Sequence, residues 1–251
     1  MLKLHLLLKK EEIEEEKMKE NKVAVVFDVL LATSTIASAL EYGAAEVIPV
    51  LDGKEAKAEA AGRTAGDFLL VGEYEGVTIE GFLSPNPLSL KDEVPGKSVI
   101  LSTTNGTIAV KKSAQAGRVY AASLLNSSAV ADHLAETSKD ETIILVCAGS
   151  SGEFNVEDFY GAGYFIDCLL QKDNVELDLT DPALAAHLFY MGNRGNGAQV
   201  LKASRVGRML ADYGFETEID YVAGHSSHNV VPVLEDGMRL VSKKPLKVEG
   251  E

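Results

Sequence analysis

With 251 residues, 46% of them hydrophobic, the chain is long enough to bury a sizeable core, and a single α/β domain is expected, with a possible two-lobed arrangement jointed near residues 172–197. Its 24 basic against 38 acidic side chains give a formal charge of −14, which opposes a phosphate backbone over most of the surface and excludes nucleic acid as an expected partner. No apolar run reaches the roughly 18 residues of a membrane span, and "LHLLL" near the start meets Lys9, Lys10 and Glu11 too early for a signal core, so a soluble, cytoplasmic protein is expected.

Residues 9–22, "KKEEIEEEKMKENK", form a charge run with glutamates preceding lysines at helical spacing, as in Glu15 and Lys19. A solvated helix or a linker without chemistry is the expectation there. From Val23 onward short apolar runs alternate with longer helical patterns, the signature of βαβ units. Strands are predicted at Val23–Phe27, Glu46–Leu51, Phe68–Val71, Ser98–Ser102, Arg118–Ala121, Thr142–Cys147, Ile219–Val222 and Val230–Leu234. Helices are predicted at Thr33–Tyr42, Lys54–Ala65, Thr107–Gln115, Ser127–Thr137, Val156–Gln171, Pro182–Met191 and Ala198–Tyr213. Gly43 stands where a left-handed C-cap is wanted, and Pro182 at a first-turn position that needs no N–H donor. These elements give the fold class α/β, a three-layer α/β/α arrangement with a mostly parallel or mixed central sheet. The irregular stretch from Gly72 to Gly96 has the composition of a functional or mobile loop. Cys147 and Cys168 fall in buried patterns, and no disulfide is expected.

In open parallel sheets, ligands bind beyond the carboxyl ends of the strands. Three such turns are rich in polar groups: Asp28–Thr35 ("DVLLATST"), Thr103–Thr107 ("TTNGT") and Ala148–Asp158 ("AGSSGEFNVED"). Each opens a helix, whose unpaired N–H groups and partial positive charge suit phosphate or sulfonate oxygens. Asp28, Glu157 and Asp158 add carboxylates suited to Mg²⁺ that bridges to phosphate. At any one turn a simpler account also stands: Thr33 or Ser34 caps a helix, Gly106 permits a positive φ, and Glu157 favours the helix dipole. Other phosphate machineries are absent: there is no Gly-x-x-x-x-Gly-Lys-Ser/Thr loop, no second aspartate at position 30, no arginine six residues after Cys147, and no Gly-x-Ser-x-Gly elbow. His225 and His228 lie three apart in "GHSSH", read as a loop between two strands without the rest of a metal-ligand set. His133 and His187 fall in helical patterns as surface or packing residues.

At these turns the sequence resembles the 2-phosphosulfolactate phosphatase family, from about Val23 to Leu234. The matching pieces are "DVL-ATST" with position 31 open, "STTNGT" (Ser102–Thr107), "LLN" ending at Asn126, Cys147–Asp158, Ser204–Gly214 and "VVPVL" (Val230–Leu234). The resemblance implies Mg²⁺-dependent hydrolysis of 2-phospho-3-sulfolactate to 3-sulfolactate and phosphate, a step toward coenzyme M in methanogens. It implies catalytic roles for Asp28, Glu157 and Asp158, and metal binding by Asp28, Glu73 and Asp158. Substrate binding is implied for Thr33, Ser34, Thr35, Thr103, Thr104, Asn105, Gly106, Thr107 and Asn126. The expected partner is a small-molecule phosphate ester, with a homodimer possible.

The sequence departs from the family pattern at two charged positions. Leu31 stands where the family's first turn has arginine, and Leu83 where its long loop has aspartate. Arginine offers a planar charged fork to an anion, and leucine offers nothing equivalent. Two alternatives follow: a family member that kept the fold as an anion-binding or scaffold protein without turnover, and an enzyme retuned to a less anionic substrate.

Overall fold

The computed structural model describes residues 1–19 and 21–243; position 20 of the charge run and residues 244–251 lie outside the described residues. The chain runs β1 (Leu2–Leu7), a 3-10 turn (Lys10–Glu12), α1 (Glu15–Met18), β2 (Lys22–Phe27), α2 (Ala32–Glu41), β3 (Glu46–Val50), α3 (Gly53–Ala60), β4 (Phe68–Tyr74) and β5 (Val77–Thr78). It continues through β6 (Ser98–Ser102), α4 (Gly106–Lys112), β7 (Arg118–Ala122), α5 (Ser127–Thr137), β8 (Thr142–Cys147), α6 (Val156–Leu170) and β9 (Leu177–Leu179). Four helices follow, α7 (Asp181–Gly192), α8 (Gly197–Ala203), α9 (Arg205–Asp212) and α10 (Glu216–Val222), and then the hairpin β10 (Val231–Glu235) and β11 (Arg239–Lys243).

The strands form one mixed sheet in the order β5-β4-β6-β3-β11-β10-β7-β2-β8-β1-β9. Strands β7, β2, β8, β1 and β9 are parallel, as are β4, β6 and β3. Between these halves lies the antiparallel β10–β11 hairpin, joined to each outer neighbour through one registered pair, Val233 with Tyr120 and Leu240 with Val47. Period-2 alternation sends Ala24 and Val26 of β2 into a layer shared with α2 and α4, while Val23, Val25 and Phe27 face α5, α6 and α7. Both faces of the sheet are therefore covered, as the three-layer expectation requires. A further cluster joins Val29 and Leu30 of the first turn to Tyr160, Tyr190, Leu201, Leu210, Ile219 and Val222 of the helices that roof the strand ends.

Several expectations need correction. The apolar start is no mere prelude: Leu2, Leu4 and Leu6 are buried in β1, which pairs with both β8 and β9. Within the charge run Lys10, Ile13 and Met18 are buried, so the segment is pinned to the body rather than solvated along its length. The expected strand Ile219–Val222 is the end of α10, where Ile219 and Val222 at helical spacing bury one face; a short apolar run carries no periodicity that decides between the two. The expected helix Ala198–Tyr213 is two helices broken at Ser204, whose ψ of 162° leaves the helical region and whose hydroxyl accepts the Gly207 N–H at 2.9 Å. The long loop begins as a β4–β5 hairpin, with Glu75 and Gly76 at positive φ in its turn. Gly43 does close α2, at φ +93°.

Candidate active site

Beyond the carboxyl ends of β2, β4 and β6 lies a cavity of about 370 Å³. Asp28, Glu73, Thr103, Thr104 and Asn105 line its strand side, and residues of α9 line the opposite side. The last residue of β2 is Phe27, and the chain turns at once, so Asp28 is carried to the sheet edge while remaining 6% exposed. Glu73 comes from the end of β4; its two oxygens accept the Thr104 N–H (2.7 Å), the Thr104 hydroxyl (3.0 Å) and the Gly76 N–H (2.7 Å). The Glu73 carboxylate thereby ties the second polar turn to the β4–β5 hairpin.

Gly106 is where α4 approaches Asp28. A Cβ at this position would stand 2.4 Å from Ala32 Cβ and 2.5 Å from Asp28 Oδ2, so only glycine allows the backbone this close, and the nearby Gly106 N–H favours the charged form of Asp28. Thr103 and Thr107 satisfy one another across the first turn of α4: the Thr107 N–H donates to the Thr103 hydroxyl at 3.1 Å and the Thr107 hydroxyl to the Thr103 carbonyl at 3.0 Å. Lys10, arriving from the charge run, donates from Nζ to Asn105 Oδ1 at 2.8 Å and holds the amide of a residue that lines the cavity.

The hydroxyls of the first turn are committed elsewhere. Thr33 accepts the Asp28 N–H (3.1 Å) and donates to the Asp28 carbonyl (2.9 Å), and Ser34 donates to the Val29 carbonyl (2.8 Å). Thr35 donates to the carbonyls of Leu31 (3.1 Å) and Pro85 (2.5 Å), which pins the long loop to α2. Asn126 is likewise buried, its Oδ1 accepting the Ser123 N–H and its Nδ2 donating to the carbonyls of Ala121 and Val230. These four side chains shape the turns without lining the cavity.

The third turn contributes from behind. Asp158 Oδ1 accepts the Val29 N–H at 2.9 Å and Oδ2 the Gly149 N–H at 3.1 Å, so this carboxylate staples the first turn to the third. Glu157 is 1% exposed and its Oε1 has no hydrogen-bond partner. Burial raises the carboxyl pKa of both residues, and Asp158, held well above the ordinary range, also feels the charges of Glu157 and Asp28. Burial, then the charges of Glu73 and Glu157, push Asp28 up to about 7, while Lys10 and the Gly106 N–H pull against that rise.

An acid cluster that resists ionisation in this way lacks compensating positive charge. Among the described residues no three His, Cys, Asp or Glu side chains converge to enclose a metal by themselves. Mg²⁺ is commonly held by one or two carboxylates, with water and substrate phosphate completing its shell. Asp28 and Glu73 on the cavity wall, with the unpartnered Glu157 oxygen behind them, fit that charge requirement.

Neither histidine of "GHSSH" joins the site. His228 is buried against Ser38 (3.1 Å) and the Tyr221 hydroxyl (2.8 Å), and His225 packs on the rings of Tyr160, Tyr164 and Tyr190. Of the two charge departures, Leu31 lines the cavity and Leu83 does not; Leu83 bridges to Val71 beside β4. Lys10 carries no signal in sequence, and Ser204 and Arg205 stand there only inside the matching piece Ser204–Gly214, with no role attached. Ser204 lies close enough to Glu157 to oppose the rise of its carboxyl pKa, and Arg205 lines the cavity while donating from Nη2 to the Ser150 carbonyl at 2.8 Å. The Ser-x-x-Gly spacing that caps α9 was the available signal for Ser204.

A mixed sheet with helices on both faces and carboxylates at a cavity beyond its strand ends defines the class of the chain as an α/β protein with an acidic strand-end site. The chain belongs to the 2-phosphosulpholactate phosphatase family, whose sequence profile matches residues 7–237. It is 38% identical over 240 residues to a probable 2-phosphosulfolactate phosphatase of Clostridium acetobutylicum, covering 94% of this chain and 99% of the relative. Proteins with the same description from Clostridium beijerinckii (36% over 238 residues, 94% and 98% covered) and Carboxydothermus hydrogenoformans (37% over 239 residues, 92% and 95% covered) are similar to it throughout. Among the described residues no helix is long and apolar enough to cross a membrane.

Proposed function

We propose that this chain is a Mg²⁺-dependent phosphatase acting on the phosphate ester of a small 2-hydroxy acid, with 2-phospho-3-sulfolactate, the ester in its relatives' names, as the reference substrate. The observation that carries the reading is Asp28, a buried carboxyl at a strand end on the cavity wall, pushed up to about 7 by burial and by Glu73 and Glu157. Asp28 and Glu73 would hold Mg²⁺, which supplies charge neutralisation at the phosphoryl oxygens and lowers the pKa of water. Glu157 adds negative charge behind Asp28, and burial raises its own carboxyl pKa. Asp158 positions Val29 and Gly149 through its two accepted N–H bonds. Gly106 brings its N–H against Asp28, and Thr33 fixes the turn that carries Asp28. The two free buried thiols suit a reducing cytoplasm.

The test is phosphate release from 2-phospho-3-sulfolactate with and without Mg²⁺, for wild type, Asp28→Asn and Glu73→Gln. Wild type turns over only with the metal, and Asp28→Asn loses at least about 10³-fold in kcat with an unchanged circular dichroism spectrum. Normal turnover by Asp28→Asn removes the assignment.

A further inference from the structure

The cavity has two chemically different walls. The strand side is acidic and hydroxylic, built from Asp28, Glu73, Thr103 and Thr104. The other side is apolar: Leu30 and Leu31 of the first turn meet Val206, Met209 and Leu210, which share one face of α9 at i, i+3 and i+4, and Phe215 completes it. The β4–β5 turn rests directly on this wall, since a Cβ at Gly76 would lie 3.0 Å from Met209 Cε. Among the described lining residues Arg205 is the one lysine or arginine, against the three acids Asp28, Glu73 and Glu75. At about 370 Å³ the cavity falls in the range of roughly 300–1,000 Å³ that holds drug-sized ligands, with room for more than a three-carbon ester.

A 2-phospho-3-sulfolactate molecule brings a carboxylate and a sulfonate besides its phosphate. One guanidinium can pair with one of them; the other, set on the leucine, methionine and phenylalanine face, would lose water with no second cationic side chain in the lining to pair it, the remaining polar lining residues such as Ser84, Ser150, Ser151 and Asn155 being neutral. An apolar substituent in the same place gains from burial.

We propose that the preferred substrate is the phosphate monoester of a 2-hydroxy acid whose carboxylate pairs with Arg205 and whose remaining substituent is apolar and lies on the Leu31–Met209–Phe215 wall. This rests on the phosphatase reading above and specifies its substrate class. Leu31 sets the specificity: it presents a methyl surface to the substituent at the one turn that also carries Asp28.

The experiment uses two esters that differ only at C3, 2-phospho-3-sulfolactate and 2-phospho-3-phenyllactate. For each, kcat/KM is measured by phosphate release with Mg²⁺, and Kd by calorimetry on the same full-length protein. Wild type favours the phenyl ester by about tenfold or more in both quantities. Leu31→Arg reverses the ratio, Met209→Ser lowers it several-fold, and Arg205→Met weakens both esters by a similar factor because both carry the carboxylate. A wild type that favours the sulfonate ester, or treats the two alike, overturns the proposal while leaving the phosphatase reading intact. Absence of turnover with either ester removes the phosphatase reading, and the calorimetric ratio then still decides for or against the apolar subsite. Thermal melts of the three variants confirm folding; should Leu31→Arg fail to fold, Met209→Ser carries the test, and an unchanged ratio there overturns the proposal.

Discussion

The Asp28 carboxyl, raised from 3.8 to about 7, makes folding stability depend on pH in an unusual direction. An acid whose folded pKa lies above its unfolded one holds a proton that the unfolded chain has already released. Its contribution is therefore greatest below about pH 4 and is lost as pH rises toward about 7, with little further change beyond. Glu157 and Asp158 are shifted in the same sense. The proposed divalent cation at Asp28 and Glu73 would favour the ionised form and cancel the slope. Melting midpoints without metal should fall between about pH 4 and pH 7, millimolar Mg²⁺ should flatten that fall, and Asp28→Asn should flatten it without metal. A slope that survives in Asp28→Asn would place its origin in the other two carboxyls. Lys10 shows how local reading falls short at this scale: nothing in "KKEEIEEE" separates it from its neighbours, yet it alone of the run reaches Asn105.

At the scale of elements, the site depends on how closely α4 can approach the first turn. The sequence marks Gly106 as a permissive residue, but the reason for glycine is steric, because Asp28 Oδ2 and Ala32 Cβ leave no space for a Cβ. Gly106→Ala should destabilise the fold by about 2 kcal/mol through overpacking and lower kcat by more than tenfold, read from denaturant titration and phosphate release. Normal activity in that variant would show that α4 can withdraw without disturbing Asp28. The break between α8 and α9 matters in the same way: Ser204 ends one helix, caps the next and reaches Glu157, and Arg205 stands first on the helix that walls the cavity.

Across the whole molecule, β1 connects distant parts of the sheet to the site. Leu4 is completely buried in a strand that pairs with β8 on one side and β9 on the other, and β1 leads directly to the segment carrying Lys10. Leu4→Ala should cost about 3 kcal/mol by the cavity it leaves between sheet and helices. Chemical denaturation checks the figure, and a loss under about 1 kcal/mol would mean that β1 is peripheral to the cooperative unit.

Local sequence carries the alternation of strand and helix, the three polar turns at strand ends and the family to which they belong, because hydrophobic periodicity and short-range turn chemistry are local properties. It placed Asp28, Glu73 and the Thr103–Thr107 turn where the cavity is found. Which polar groups remain for a ligand depends instead on long-range packing. Thr33, Ser34, Thr35 and Asn126 look identical in sequence to residues that bind phosphate, yet their hydrogen bonds go to the Asp28, Val29, Leu31, Pro85, Ala121 and Val230 backbone. The opposite holds for Arg205 and for the apolar side of α9, which gain their place at the cavity from packing across more than 170 residues of chain separation from Asp28, a distance over which local sequence carries no signal.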